Sequence, residues 1–392
     1  MLRLTFILTG FLFINGILSA QEKEKLKLKD RITIDGYIKY MNTNSFVNLD
    51  TIIGDNLIHN RIKLKATISE KISAVVEMRN RIFYGEATRL NPSLGALLDN
   101  DMGQLDLSFV PLDRSSFVIH SIFDRAYFKY QANKWELSIG RQRINWGVNL
   151  AWNPNDLFNA YSLIDFDYQE RPGSDAIRFQ YFTGDLSSVE LAIQPSESLN
   201  QSIIAGLWKF NKWKYDIQFL GGNFYQDIAV GTGWAGNIKN SGLKGELTYF
   251  HPKTNFSDTS GSISTSITFD YSFKNGIYLN NSILYNGSGV SSVSGQVNPF
   301  QTFATDLSAK NLMPSKLTYF TQVNGLFNPL LNYSFSVFYM QGFNVLLLMP
   351  SINYSISENW EIMLIGQSAV GEKTGQISSV GNGVFLRLML SY

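Results

Sequence analysis

Residues Arg31 to Met41 read RITIDGYIKYM. In an extended chain Ile32, Ile34, Gly36, Ile38 and Tyr40 share one face, and Arg31, Thr33, Asp35, Tyr37 and Lys39 share the other. Period-two alternation of this kind marks a strand with one apolar and one polar side. Arg61 to Ile68 repeats it, with Ile62, Leu64, Ala66 and Ile68 opposite Arg61, Lys63, Lys65 and Thr67. Ile72 to Tyr84 places Glu77, Arg79 and Arg81 on its polar face, and Lys212 to Phe219 and Gly261 to Phe273 alternate in the same way.

Strands of this type fill most of the 392 residues, many of them about 10–13 residues long. Soluble strands cluster near five or six residues, whereas a tilted strand needs roughly 9–11 to cross a bilayer. About eighteen strands can be placed, with sixteen possible if one segment is wrongly divided. The links after even-numbered strands are all short, for example Ser69 to Lys71, Gln131 to Lys134 and Ser357 to Asn359. The long ones follow odd-numbered strands, at 43–57, 85–121, 146–173, 252–260, 289–313 and 372–381. Short turns at one end and long loops at the other predict an all-β fold: a transmembrane, antiparallel, up-and-down β-barrel with both termini in the periplasm.

Composition agrees. There is no cysteine, which excludes disulfides, thiolate metal sites and a cysteine nucleophile. With 33 Lys+Arg against 32 Asp+Glu, nothing suggests a nucleic-acid partner. Charged residues make up 17% and aromatics 14%, while mean hydropathy is only −0.06. Alternation accounts for a chain poor in charge yet not hydrophobic on average. The longest apolar run after the N-terminus, Val345 to Pro350, is too short for a membrane helix.

Met1 to Ala20 (MLRLTFILTGFLFINGILSA) reads as a signal peptide: Arg3, a short apolar stretch and a small-residue end at Ser19-Ala20. Its removal leaves 32 charges of each sign. Residues 21–30 are expected to be a short periplasmic segment, and 31–392 the barrel. Tyr392 ends a strand in which Val384, Leu386, Leu388 and Leu390 share its face. Such a terminal aromatic resembles the assembly signal of bacterial outer-membrane barrels, so the barrel-assembly machinery and outer-membrane lipid are expected partners.

Face counting puts Arg61, Lys63, Lys65, Arg79, Arg81, Arg125, Lys129 and Arg178 in the lumen, interleaved with Asp35, Glu77, Glu136 and Glu190. The later strands point mostly Gly, Ser, Thr, Asn and Gln inward. One wall is therefore basic and the facing one neutral. A basic ladder favours anions, but Arg–Glu pairs that only satisfy each other would stiffen the wall instead. At 16–18 strands a barrel leaves an aqueous channel unless plugged. The apolar stretches of 85–121 suggest that this loop narrows the mouth, or that Gln104–Val110 and Ser116–Ile122 form a hairpin prolonging the wall.

The most distinctive segment runs from Gly140 to Ala176. Apolar parity slips at Gly140, where a bulge would turn Arg141 and Arg143 inward. Asn153-Pro154-Asn155-Asp156 has the form of a helix start, predicting a short helix over about 154–162. A constriction or solute-binding loop is expected here, with Arg141, Arg143, Trp146, Asn153, Asp156 and Arg171 near the path. Gly140-Arg141-Gln142, Trp146-Gly147 and Asn153-Pro154-Asn155-Asp156 resemble the G-R-Q-x-x-x-W-G and N-P-x-D elements of porin-like outer-membrane proteins of Gram-negative bacteria, in a Bacteroidota-like setting. The resemblance implies passive passage of small hydrophilic solutes across the outer membrane, without enzymatic activity, cofactor or metal. A barrel that anchors a surface or secretion complex is the alternative. A barrel hydrolase is disfavoured: His59, His120 and His251 have no triad spacing, and His120 is expected at the surface. Asp165, Asp167 and Glu170 read as a solvated acidic loop in preference to a calcium site.

Overall fold

The computed structural model describes residues 31–101, 103–165, 167, 170–292, 307–373 and 376–392. The expected signal peptide, segment 21–30 and residues 293–306 of the expected loop 289–313 lie outside the described residues. The chain forms strands β1 (Ile32–Phe46), β2 (Ile52–Thr67), β3 (Ile72–Gly85), β4 (Ser108–Arg114), β5 (Phe117–Gln131), β6 (Trp135–Gln142), β7 (Ser174–Gly184), β8 (Ser187–Gln194), β9 (Ile203–Lys212) and β10 (Tyr215–Phe224). They continue as β11 (Asp227–Ile238), β12 (Ser241–Pro252), β13 (Ser262–Ser272), β14 (Tyr278–Asn286), β15 (Leu317–Asn328), β16 (Leu331–Gln341), β17 (Val345–Ser355), β18 (Trp360–Lys373) and β19 (Gln376–Ser391).

Every strand but β4 pairs antiparallel with its neighbours in the sequence of the wall, and β1 closes on β19 from Tyr37↔Ser391 to Phe46↔Asn382. This is the expected closed barrel of 18 strands. β4 is the nineteenth: it pairs only with the upper half of β5, where β6 has already left the wall. The hairpin arrangement of residues 85–121 is thus the one found, preceded by two short helices, α1 (Glu86–Leu90) and α2 (Leu94–Leu98).

Alternation fixes which face is which. On β1, Ile34 and Ile38 are 61% and 45% exposed while Lys39 is 2% exposed. The same outward row continues around the barrel through Phe128, Ile177, Leu191, Phe219, Ile267, Tyr319, Phe335 and Leu386. A belt this extensive on an otherwise closed wall is the surface a bilayer covers, and closure leaves no edge strand unpaired within it. No helix among the described residues is long and apolar enough to cross a membrane.

Short links gather at one end, the turn end, and both chain ends of the barrel lie there too. Trp213 and Lys214 form a two-residue link with φ of 57° and 65°, the double positive φ of a tight hairpin. Tyr392 completes the seam by exchanging backbone hydrogen bonds with Gly36 at 3.0 Å each way. A Cβ at Gly36 would lie 2.9 Å from the Tyr392 hydroxyl and closer still to the Arg61 carbonyl, so only glycine fits beneath that ring.

At the loop end two expected long links are shorter than their polar composition suggests. β1 and β2 pair as far as Phe46↔Ile52, and β18 and β19 as far as Lys373↔Gln376. The residues read as loops at 43–57 and 372–381 are mostly ladder. Asn and Ser are poor strand formers, but a neighbour already in register satisfies their backbone groups.

Candidate functional site

The long excursion between β6 and β7 does not lie over the barrel but inside it. It starts at Gly140, whose φ of 118° breaks the pleat; a Cβ there would meet the Ala126 carbonyl oxygen at 2.3 Å. Beyond this point Arg141 and Gln142 are both buried, and the chain leaves the wall. Residues 151–159 are buried without interruption.

The segment first folds on itself. Asn159 Oδ1 accepts from Ile144 N (2.7 Å), and Asp156 Oδ1 accepts from Trp146 N (3.1 Å). No helix forms over 154–162. Asn153 and Asn155 instead accept tight-turn bonds from Asp156 N and Leu157 N. The donors that would start a helix are spent on the barrel, because Asn155 N points to the wall carboxylate of Glu246.

Glu246, on β12, is fully buried and takes three backbone N–H groups of the segment: Val148 N (2.6 Å), Asn149 N (2.7 Å) and Asn155 N (2.9 Å). Each such bond contributes about 0.5–1.5 kcal/mol net. On either side of Glu246, Trp146 Nε1 donates to Glu190 Oε1 (2.5 Å) and Gln218 donates to Trp146 O (2.6 Å). Asn149 donates to Ser266, and Asn155 bonds Thr232 O and Thr248 Oγ1.

Farther around the wall the chemistry changes. The Trp152 ring lies edge-on to Phe320 and Phe338, at centroid distances of 6.1 and 6.4 Å. They belong to an apolar cluster with Leu284, Met340, Leu347 and Met349. The expectation that the later strands point mostly Gly, Ser, Thr, Asn and Gln inward misses this cluster. Large apolar residues do point inward there, and the segment covers them.

The return leg crosses to the opposite wall. Asp167 pairs with Lys39 Nζ (2.8 Å) and His59 Nδ1 (2.9 Å), and Arg125 donates to the carbonyls of Glu170 and Arg171 (2.9 Å each). Asp167 is held below the usual carboxylate range by His59 and Lys39, against the upward push of its burial. Arg171 stacks on Tyr161 at 3.3 Å and lies 3.7 Å from Asp156 Oδ2. Asp156 is fully buried, and burial pushes its carboxyl up from 3.8 to about 7, against the opposing pull of Trp146 N, Arg171 and Arg143. The acidic residues of this leg thus answer wall cations, and among the described residues no acid/histidine cluster is arranged for a metal.

The expected basic ladder is present but paired. Arg61 bonds Asp124 (2.5 Å) and Glu77 (2.6 Å), Arg79 lies 3.3 Å from Asp124, Lys129 meets Glu136 (2.6 Å) and Arg178 meets Glu190 (2.6 Å). Lys63 is near Asp35 at 3.6 Å, and Lys65 is exposed. Asp124 escapes simple face counting. In the parity of lower β5 it would face lipid, but it is the extra residue where the β3–β5 register shifts, which turns it onto Arg61. The adjacent charges in Asp124-Arg125 are the readable sign, since an unpaired carboxylate on the lipid face is costly.

Arg141 is pinned by Asp175 (2.8 Å), Asp101 (2.7 Å) and the Leu105 carbonyl (2.6 Å), which ties Asp101 and Leu105 to the top of β6 and β7. Arg143, expected inward, is exposed, and its hydrogen bond among the described residues goes to Asn145, because the chain has already turned at Gly140. Asn153 and Trp146 are buried within the segment. His120, expected at the surface, is completely buried between Ser108 and Arg81. Arginine only donates, so Nδ1 accepts from Arg81 and Nε2 carries the proton toward Ser108 Oγ. An imidazole in that tautomer cannot deprotonate the serine.

No protein-family model and no curated protein matches this chain. Solved structures do. The chain is similar to OccAB4 of Acinetobacter baumannii, with TM-score 0.56 at 11% identity over 92% of this chain and 98% of that one. It is also similar to OccK5 (OpdH) of Pseudomonas aeruginosa, with TM-score 0.55 at 8% identity over 93% and 99%. The outer membrane protein OpdK of Pseudomonas aeruginosa gives 0.53 at 9% over 92% and 99%. At these identities the likeness is one of fold.

Proposed function

We propose that this protein is an outer-membrane channel for passive diffusion of small hydrophilic solutes, its bore set by residues 143–173. The observation that carries the reading is the seating of that segment. It binds β8, β10, β11, β12 and β13 on one side and β1, β2 and β5 on the other, so it spans the lumen instead of capping it. Solvent cavities of about 310 and 340 Å³ flank it. An 18-stranded wall is far wider than its own side chains fill, and a barrel built only as an anchor has no need of a segment hydrogen-bonded at mid-lumen.

The proposed anion preference is weak. Paired cations add no net charge, so the preference is assigned to Lys65, exposed near the turn end. Export by the N-terminal signal and recognition of the strand ending at Tyr392 by the barrel-assembly machinery complete the proposal. Purified folded protein in planar bilayers tests it: discrete ion-conducting steps are expected, and their absence would sink the channel reading. Lys65→Glu is expected to move the reversal potential in a salt gradient toward cations.

A further inference from the structure

On the neutral side of the lumen, a cavity of about 340 Å³ lies between the seated segment and the turn end. It falls within the range of small-molecule sites, roughly 300–1,000 Å³. Its lining divides by chemistry. Phe320 and Phe338, whose ring centroids are 4.6 Å apart, provide an apolar wall. Gln322 and Asn324 from β15 provide amides, with serines of β16 and β17 beside them. Arg387 from β19 completes the lining.

Two features separate this cavity from a merely wet gap. Asn324 Oδ1 and Arg387 Nε are both buried and both without a hydrogen-bond partner, so one acceptor and one donor remain unsatisfied in the same lining. Arg387 is 2% exposed and is the only cation of the lining, and its charge is already met by Glu361 at 2.8 Å. The amide and hydroxyl groups of Gln322, Asn324 and the serines thus stand next to an aromatic face, and the Arg387–Glu361 pair leaves no net charge there to attract an ion.

We propose that this cavity is a binding subsite for neutral, hydroxyl-rich ring compounds of monosaccharide size. A sugar ring presents an apolar C–H face to phenylalanines and donates and accepts through its hydroxyls. An anion would have to compete with Glu361 for Arg387 and would bury its own charge against phenyl rings. The inference deepens the channel reading and rests on it for its role in transport, but binding itself does not require conduction.

The test is calorimetric titration of the full-length, detergent-solubilised protein with D-glucose, with D-glucuronate, which keeps the ring, as the charged analogue. Saturable glucose binding is expected, with glucuronate at least ~10-fold weaker. Asn324→Leu is expected to weaken glucose binding by a similar factor, because removing one half of a built polar site leaves the ligand's hydroxyl unpaired. Gln322→Leu is the second variant, in case the first does not fold; retained heat-modifiable gel migration identifies folded samples. No saturable binding, binding unchanged in both folded variants, or glucuronate binding as tightly as glucose overturns the proposal. Liposome swelling in glucose, run in parallel, separates the two readings: binding without swelling refutes the channel and leaves the subsite standing, and swelling without binding does the reverse.

Discussion

Two walls hold the same segment by opposite means. The β1–β5 wall meets it with Lys39, His59 and Arg125, and buries a network of arginines around Asp124 behind it. The β14–β17 wall meets it with Leu284, Phe320, Phe338 and Leu347 around Trp152. Charged contacts are directional and fix where the chain lies. Apolar packing is not directional and supplies bulk burial. Between the two walls, Glu246 converts three loop amides into a fixed backbone path. A lumen that only conducted water would need neither a buried carboxylate clamp nor an apolar floor, so the contrast marks the segment as a built part of the bore.

The contrast can be broken from either side. Trp152→Ala should have the largest effect, since emptying a buried tryptophan site costs about 3–5 kcal/mol. Single-channel recordings should show larger, noisier steps, and an unchanged conductance would mean that the apolar wall does not hold the segment. Glu246→Gln keeps one acceptor oxygen but replaces the other with an amide donor that faces backbone N–H groups. A loss of about 1–3 kcal/mol is expected, read as faster amide exchange over 146–156. Similar protection in both proteins would remove Glu246 from its role.

A smaller effect concerns pH. The Asp156 carboxyl titrates near 7 in the folded chain against 3.8 ordinarily. Its folded value is raised, so the seated form is favoured at low pH and weakens as pH rises from about 4 to 7, with no further change above. Protection factors over 144–159 should fall across that window, and Asp156→Asn should flatten the dependence. A fall only above pH 8 would point to another group. The smallest effect sharpens the comparison by its near-absence: Arg143→Ala, exposed and bonded to Asn145, should change stability by less than about 0.5 kcal/mol.

The barrel was legible because alternation is a local property. A strand with lipid on one side and water on the other must repeat every two residues, and the run RITIDGYIKYM states this without help from the rest of the chain. The seat was less legible. Val345 to Met349 (VLLLM) is apolar on both faces, the mark of a strand buried on both sides. Weighed as a membrane helix, that run is merely too short; weighed as a strand, it already announces something apolar in the lumen. Asp124 and Glu246 were harder. One depends on a register shift, and the other is a lone acid in Gly245-Glu246-Leu247 with nothing nearby in sequence to answer it.

The sequence by itself determined the strand period, the near-neutral balance of charge, the asymmetry between basic and neutral walls, and the break in apolar parity at Gly140. Only the tertiary structure decided that the chain leaves the wall there, that the described residues of 143–173 enter the lumen, that the arginines are paired, and that Asn155 N serves a carboxylate 91 residues away instead of a helix. The physical reason is the range of the interactions. Alternation and turns are set by neighbours in the chain, whereas a buried charge or an unsatisfied amide is settled by whichever partner the closed barrel brings across it.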